Sequence, residues 1–336
     1  MHPIKLSKQQ MRAVGCLVGG AVGDALGFPI EFYEDASIFR RYGEQGITDY
    51  QLTNGVALIS DDTQMTLFTA EGLLSSDSHT SMVEAIYSSY LNWHKTQCQE
   101  KPISKQGLLG ISAMYHTRVP GTTCLSALES GICGTLETPI NRSKGCGGIM
   151  RVAPIAVYCY HRGISTADAD LLAAKAAAIT HGHELGYIPA AFFAHILYRV
   201  LEGADLFRAV ADAMQEVPKL FPNSAHISEV LTLLQKAIEL SAQELDDLDA
   251  IRALGGGWVA EETLAIAVYC CLKHQNSFEK VVVAAVNHSG DSDSTGAVAG
   301  NIIGAYLGAK SIPPKYLHNL ELFKTIVELS MQLCNS

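Results

Sequence analysis

Gly15, Gly19, Gly23 and Gly27 recur at every fourth position of a stretch whose apolar residues, Met11, Val14, Val18, Ala21, Val22 and Ala25, also follow helical spacing. Residues four apart share a helix face, so this helix carries a stripe without side chains along which another backbone can lie. Ser7 followed by Gln10 reads as a capping box at its start, and Gly27 and Pro29 end it. Inside a bilayer the same spacing favours helix dimers. Asp24 interrupts the stretch and its apolar length is short, so the expectation is a central helix of a water-soluble core, with backbones pressed against it.

Helical signals continue along the chain. Ser81 with Glu84, and Ser165 with Asp168, mark two more helix starts, and further helices are expected at about 186–202, 205–215, 225–240, 261–275, 277–287, 295–309 and 316–333. Alternating β-branched segments are scarce, and residues 46–59 hold a short hairpin at most. No linker, low-complexity tract or fixed-period repeat divides the chain. The expectation is an all-α fold in which residues 1–336 form one compact domain of a dozen or more helices.

Charge narrows the partners. With 24 Lys and Arg against 34 Asp and Glu, the net charge is −10, which argues against general nucleic-acid binding, since that needs a basic face. The longest charge-free apolar run, Gly296 to Ala309, falls short of the roughly 20 residues of a membrane span, so no membrane association is expected. Nine cysteines without a CxxC pair or zinc spacing fit reduced thiols and a cytoplasmic location.

Two acidic clusters carry the chemistry. Ser60-Asp61-Asp62-Thr63 opens one apolar helix, and Asp291-Ser292-Asp293-Ser294-Thr295 opens another rich in Gly and Ala. Acids at a helix start are ordinary caps that answer the helix dipole. Two adjacent acids are less ordinary, because one must face the packed side. Carboxylate and hydroxyl oxygens are hard donors suited to Mg²⁺ or Mn²⁺ rather than zinc, and four carboxylates would over-neutralise one ion, which points to two.

Four other features are weaker alone. The run Ser143-Lys144-Gly145-Cys146-Gly147-Gly148-Ile149-Met150-Arg151 is either a plain turn before a helix or a loop whose N–H groups meet phosphate oxygens; it lacks Walker spacing. Glu31, taken alone, reads as an exposed loop acid. His181 and His183 read as the end of a helix, where a partly charged imidazole suits the dipole. Gly255-Gly256-Gly257-Trp258 is a hinge or a ligand-lining loop.

In this order, the stretches GCLVGGAVGDALGFPIEF, SDDTQMTLFTAEGLL, GCGGIMRVAPIAV, ITHGHELG and NHSGDSDSTGAVAGNIIGA resemble the ADP-ribosylglycohydrolase family, which includes the dinitrogenase reductase activating glycohydrolase and the ADP-ribosylarginine hydrolases. The matching stretches reach from residue 15 to about residue 309. The resemblance implies an all-α fold of that type with a central metal cleft holding two divalent ions, Mg²⁺ or Mn²⁺. The metal ligands map to Ser60, Asp61, Asp62, Asp291, Asp293 and Ser294, with Thr295 as the other hydroxyl at that position. Glu31 and Asp62 map to the catalytic residues. Glu31, Gly145, Cys146, Gly147, Gly148, Met150 and His181 map to substrate contacts, the loop residues at the diphosphate. Cys146 departs from the Asn or small polar residue that relatives often carry.

The activity the resemblance implies is removal of ADP-ribose from a modified protein or small conjugate, with arginine as the first expectation for the linkage. O-linked ADP-ribose, on serine or in O-acetyl-ADP-ribose, is the alternative. A third reading is an immunity or regulatory protein that blocks a cognate ADP-ribosyltransferase by binding it.

Overall fold

Ser7 caps the first helix as a full capping box: its hydroxyl accepts the Gln10 N–H at 3.1 Å, and its own N–H donates to the Gln10 side chain at 2.9 Å. The computed structural model describes residues 6–76 and 81–335. Among these, sixteen α-helices follow one another. They are α1 (Lys8–Gly27), α2 (Asp35–Tyr42), α3 (Asp61–Ser75), α4 (Met82–Gln97), α5 (Thr122–Glu129), α6 (Ala153–Arg162), α7 (Thr166–Ala178) and α8 (Glu184–Glu202). The second half contains α9 (Leu206–Glu216), α10 (Ile227–Ser241), α11 (Asp247–Leu254), α12 (Ala260–Lys273), α13 (Phe278–Val286), α14 (Ser292–Leu307), α15 (Pro314–Leu317) and α16 (Phe323–Asn335). No strand forms among the described residues. The possible hairpin at 46–59 is a single bridge, Thr53 to Val56, around the left-handed Asn54 and Gly55.

The expected central helix is α1, and its partner is α14. A Cβ placed on Gly15, Gly19, Gly23 or Gly27 would lie 2.2, 2.3, 1.9 and 2.3 Å from the carbonyl oxygens of Gly304, Gly300, Gly296 and Ser292. The pairing runs in opposite directions along the two helices, so they are antiparallel and in contact backbone to backbone. The stripe is reciprocal, because a Cβ on Gly296, Gly300 or Gly304 would meet the carbonyls of Gly23, Gly19 and Gly15. Both helices are buried nearly all round. The segment Lys8–Ile30 is long and apolar enough to cross a membrane by length and composition, and 89% of its apolar window is buried inside the fold.

The remaining helices wrap this pair. α12, α13 and α16 pack on it, α3 lies against α4, and α7 lies against α8. Cap signals at Ser81 and Ser165 mark the starts of α4 and α7 as expected. The expected helix at 316–333 is split into α15 and α16, because the chain turns through Leu322 at φ +58.

Candidate metal centre and ligand loop

The glycine register decides where the acids meet. With Gly23 opposite Gly296 and Gly27 opposite Ser292, the C-terminal end of α1 lies beside the N-terminal end of α14. Glu31, four residues beyond α1, therefore reaches Asp291 and Asp293, and ligand atoms of these three carboxylates lie within 4.8 Å of one another. Glu31 is buried at 9% exposure, where the isolated sequence suggested an exposed loop acid.

The start of α3 is brought in by Asp24, which no local sequence pattern marks as a site residue. Its carboxylate accepts the Ser60 N–H at 2.9 Å and the Thr63 N–H at 3.1 Å, and it also takes the Thr63 hydroxyl. Asp24 thus caps α3 from a different helix, alongside the local cap in which Ser60 Oγ accepts the Asp62 N–H at 3.2 Å. The available signal was the one acid of α1, alone among the uncharged residues that follow Arg12.

The two acidic clusters become one electrostatic unit. Burial, then Asp291, Asp61 and Asp24, push the Glu31 carboxyl up to about 9. Burial raises Asp61 to about 8, with Asp24 and Asp291 adding to it and the Gly121 N–H, 3.2 Å from Asp61 Oδ2, opposing it. Burial and neighbouring carboxylates also push Asp62 and Asp293 well above their ordinary range. The charged groups acting most strongly on these acids are other acids. Asp62 Oδ2 is buried with no hydrogen-bond partner. An all-oxygen set of crowded carboxylates with an orphaned buried oxygen fits a hard divalent cation, which would supply the missing positive charge.

The hydroxyls divide their work. Thr295 Oγ1 lies 2.8 Å from both the Ala285 and Asp291 carbonyls and 3.0 Å from His288 Nε2, so it is committed within the fold. The Ser294 side chain faces Asp62 and Cys146, and its N–H donates to Asp291 and Asp293. Between the two, Ser294 is the hydroxyl turned toward the acids.

Residues 145–150 join the same region. The Cys146 thiol donates to Asp291 Oδ2 at 2.7 Å, where burial and then Asp291 hold it well above the ordinary thiol range. Cys146 N–H donates to the Trp258 carbonyl at 3.3 Å, Gly145 N–H to Ser143 Oγ at 3.3 Å, and Ile149 and Met150 N–H to the Cys146 carbonyl. Gly147 and Gly148 lie inside the single 3₁₀ turn Cys146–Gly148 and are buried. Their lack of side chains has a packing reason: a Cβ on Gly147 would sit 2.9 Å from the His181 ring, and one on Gly148 2.6 Å from the Gly186 carbonyl.

His181 and His183 differ from the helix-end reading. α7 stops at Ala178, and His183 instead caps α8, its Nδ1 accepting the Leu185 N–H at 3.0 Å. His181 is buried beneath Gly145 and Gly147, with Nδ1 2.8 Å from Thr180 Oγ1. Burial and the neighbouring Arg151 lower it to about 3, so the ring is neutral rather than partly charged. The Gly255–Trp258 segment is fastened to the second cluster, since Asp291 N–H donates to the Gly256 carbonyl at 2.8 Å and Glu262 accepts the Gly256 and Gly257 N–H groups.

Comparisons with known proteins point to one family. The family model for ADP-ribosylglycohydrolase matches residues 6–336. The chain is 24% identical to ADP-ribosylhydrolase ARH3 of Mus musculus, over 95% of this chain and 90% of that one. It is 24% identical to the ADP-ribosyl-[dinitrogen reductase] glycohydrolase of Rhodospirillum rubrum, over 93% and 90%. It is also 24% identical to the ADP-ribosylarginine hydrolase Tri1 of Pseudomonas putida (strain GB-1), over 96% and 77%. A solved structure described as an ADP-ribosylglycohydrolase-related protein complex superposes with a TM-score of 0.67 at 25% identity, covering 98% of this chain and 99% of that one. The chain belongs to the ADP-ribosylglycohydrolase family, hydrolases that act on ADP-ribose linkages.

Proposed function

We propose that this chain removes ADP-ribose from ADP-ribosylated arginine on proteins, and that it does so with two divalent ions, Mg²⁺ or Mn²⁺. The observation that carries this reading is the convergence of Glu31, Asp291 and Asp293 to within 4.8 Å, coupled to Asp61 and to the unpartnered Asp62 Oδ2. The residues to hold the ions are Ser60, Asp61, Asp62, Asp291, Asp293 and Ser294. Bound there, the ions would supply a Lewis acid for ribose hydroxyls and a water of lowered pKa.

The chain's own residues do the rest. Glycosidic bonds to ribose break through an oxocarbenium-like transition state, in which water must arrive at C1″ while the departing nitrogen takes up a proton. Glu31 belongs to neither helix start, and it is the residue for proton transfer at its carboxyl oxygens or for gating the substrate. Asp62 anchors the centre from α3. Gly147 and Gly148, with the backbone of 145–150, suit the diphosphate, which helps an acidic protein take an anionic ligand through dipoles rather than surface lysines. Met150 and the neutral His181 back this loop. The cleft that admits the substrate is part of the proposal, as is residence in a reducing cytoplasm, which all nine cysteines, free of disulfides, would suit.

The Pseudomonas putida relative, named as an ADP-ribosylarginine hydrolase, favours arginine for the linkage. Incubation with arginine-linked and serine-linked ADP-ribosyl peptides, each with and without Mg²⁺ or Mn²⁺, tests the reading. Metal-dependent release from arginine is expected, and release only from serine overturns the linkage. An Asp62→Ala protein that stays folded, turns nothing over and still protects a target would point instead to blocking of a transferase by contact.

A further inference from the structure

Phe32 and Trp258 are large aromatic side chains held in water next to the acid cluster. Phe32 is 64% exposed and Trp258 44% exposed. Their rings stack on each other, with centroids 5.7 Å apart and planes 23° apart. Each springs from a segment that touches the acids. Phe32 directly follows Glu31. Trp258 directly follows Gly257, whose Cβ position lies 3.5 Å from Asp291 Cβ and 2.7 Å from Thr295 Cγ2. Two exposed rings cost solvation that the fold does not recover by burying them, and such patches mark binding surfaces.

We propose that the Phe32–Trp258 pair is the subsite for the leaving group, an aromatic platform for the planar guanidinium of the modified arginine. This rests on the reading that the acid cluster holds the distal ribose. Position selects the occupant. Consecutive Cα atoms are about 3.8 Å apart, so Phe32 lies beside whatever Glu31 addresses, which is C1″ and the group attached to it. The adenine stands a ribose, a diphosphate and a second ribose away. Charge agrees, since exposed Glu34 follows two residues later with, among the described residues, only the Ser289 hydroxyl against its carboxylate, while Asp35 is tied to Arg252. A guanidinium over an aromatic face gains from both the ring and nearby acid. A serine linkage offers neither a plane nor a charge, so the platform would discriminate for arginine.

The test uses the full chain and three variants, Phe32→Ala, Trp258→Ala and Trp258→Phe, with folding checked by circular dichroism. Each is assayed on an arginine-linked ADP-ribosyl peptide with metal present, and free ADP-ribose binding is measured by calorimetry. The alanine variants are expected to lose about 3- to 10-fold in kcat/KM, the range for an exposed to partly desolvated cation–π contact. Their affinity for ADP-ribose should stay unchanged, and Trp258→Phe should recover most of the loss. An equal loss of ADP-ribose affinity would assign the pair to the adenosine end and overturn the proposal, as would unchanged kcat/KM. Failure of the underlying function is read separately, on the wild-type protein: no release from arginine removes both.

Discussion

The Asp24 carboxylate on α1 accepts the backbone N–H of Ser60 at 2.9 Å, so the start of α3 is held by a residue 36 positions earlier. The same carboxylate takes the Thr63 N–H and hydroxyl. Asp24→Ala would leave these buried donors without acceptors, at about 1–3 kcal/mol each in a charged, buried setting. The expected result is a large fall in Tm together with weaker divalent-metal binding by calorimetry. A Tm equal to wild type would show that α3 is positioned by packing alone.

Gly23→Ala asks for room that the α1–α14 contact lacks, since the added carbon would lie 1.9 Å from the Gly296 carbonyl oxygen. Overpacking of this kind typically costs about 1–3 kcal/mol, and here it must separate two backbones. Gly121→Ala is the control, because nothing lies within 4 Å of its Cβ position and its φ is −56. Denaturant unfolding should show a lowered midpoint for the first and little change for the second.

Metal-free protein should lose stability as pH rises from about 5 to 9. Asp24, Asp61 and Glu31 have folded-state values raised to about 6, about 8 and about 9, burial being the first cause in each case. Raised carboxyls bind more protons folded than unfolded. Their destabilisation is therefore absent below the unfolded value of roughly 4 and grows until pH passes the folded value. Saturating Mg²⁺ or Mn²⁺ should flatten this slope by replacing the protons. Thermal melts at several pH values, with EDTA or with metal, read both effects, and a slope that metal leaves unchanged would count against a cation at these acids.

Asp62→Asn separates function from stability. Removing one buried charge from a group of mutually repelling carboxylates should raise the Tm of metal-free protein while weakening metal affinity at least about tenfold. Loss of both would indicate a structural role for the carboxylate instead.

Much of the helical framework was legible because its signals are local. Ser7, Ser81 and Ser165 announce α1, α4 and α7 through side chains that bond within three residues. The glycine stripe announced close backbone contact, although not that Gly296, Gly300 and Gly304 would supply the other half. Asp24 was not legible as a cap, because its partners lie in another helix. The charge state of His181 was equally hidden, since it follows from burial under Gly145 and Gly147 and from Arg151. Glu31 looked exposed until the α1–α14 register carried it to Asp291 and Asp293.

A stripe with a four-residue repeat has an ambiguity of its own. Sliding α14 by four residues would still set glycine against glycine at most positions, yet it would displace the acids by about 6 Å. Asn301 breaks that degeneracy: its side-chain amide donates to the Cys16 carbonyl at 2.8 Å and fills the space over Gly20, where a Cβ would come within 2.1 Å of it. It acts as an indexing pin. The spacing of carboxylates at one end of the helix pair is thereby fixed by an amide eight residues from Asp293, and a substitution there would mistune the centre without touching it.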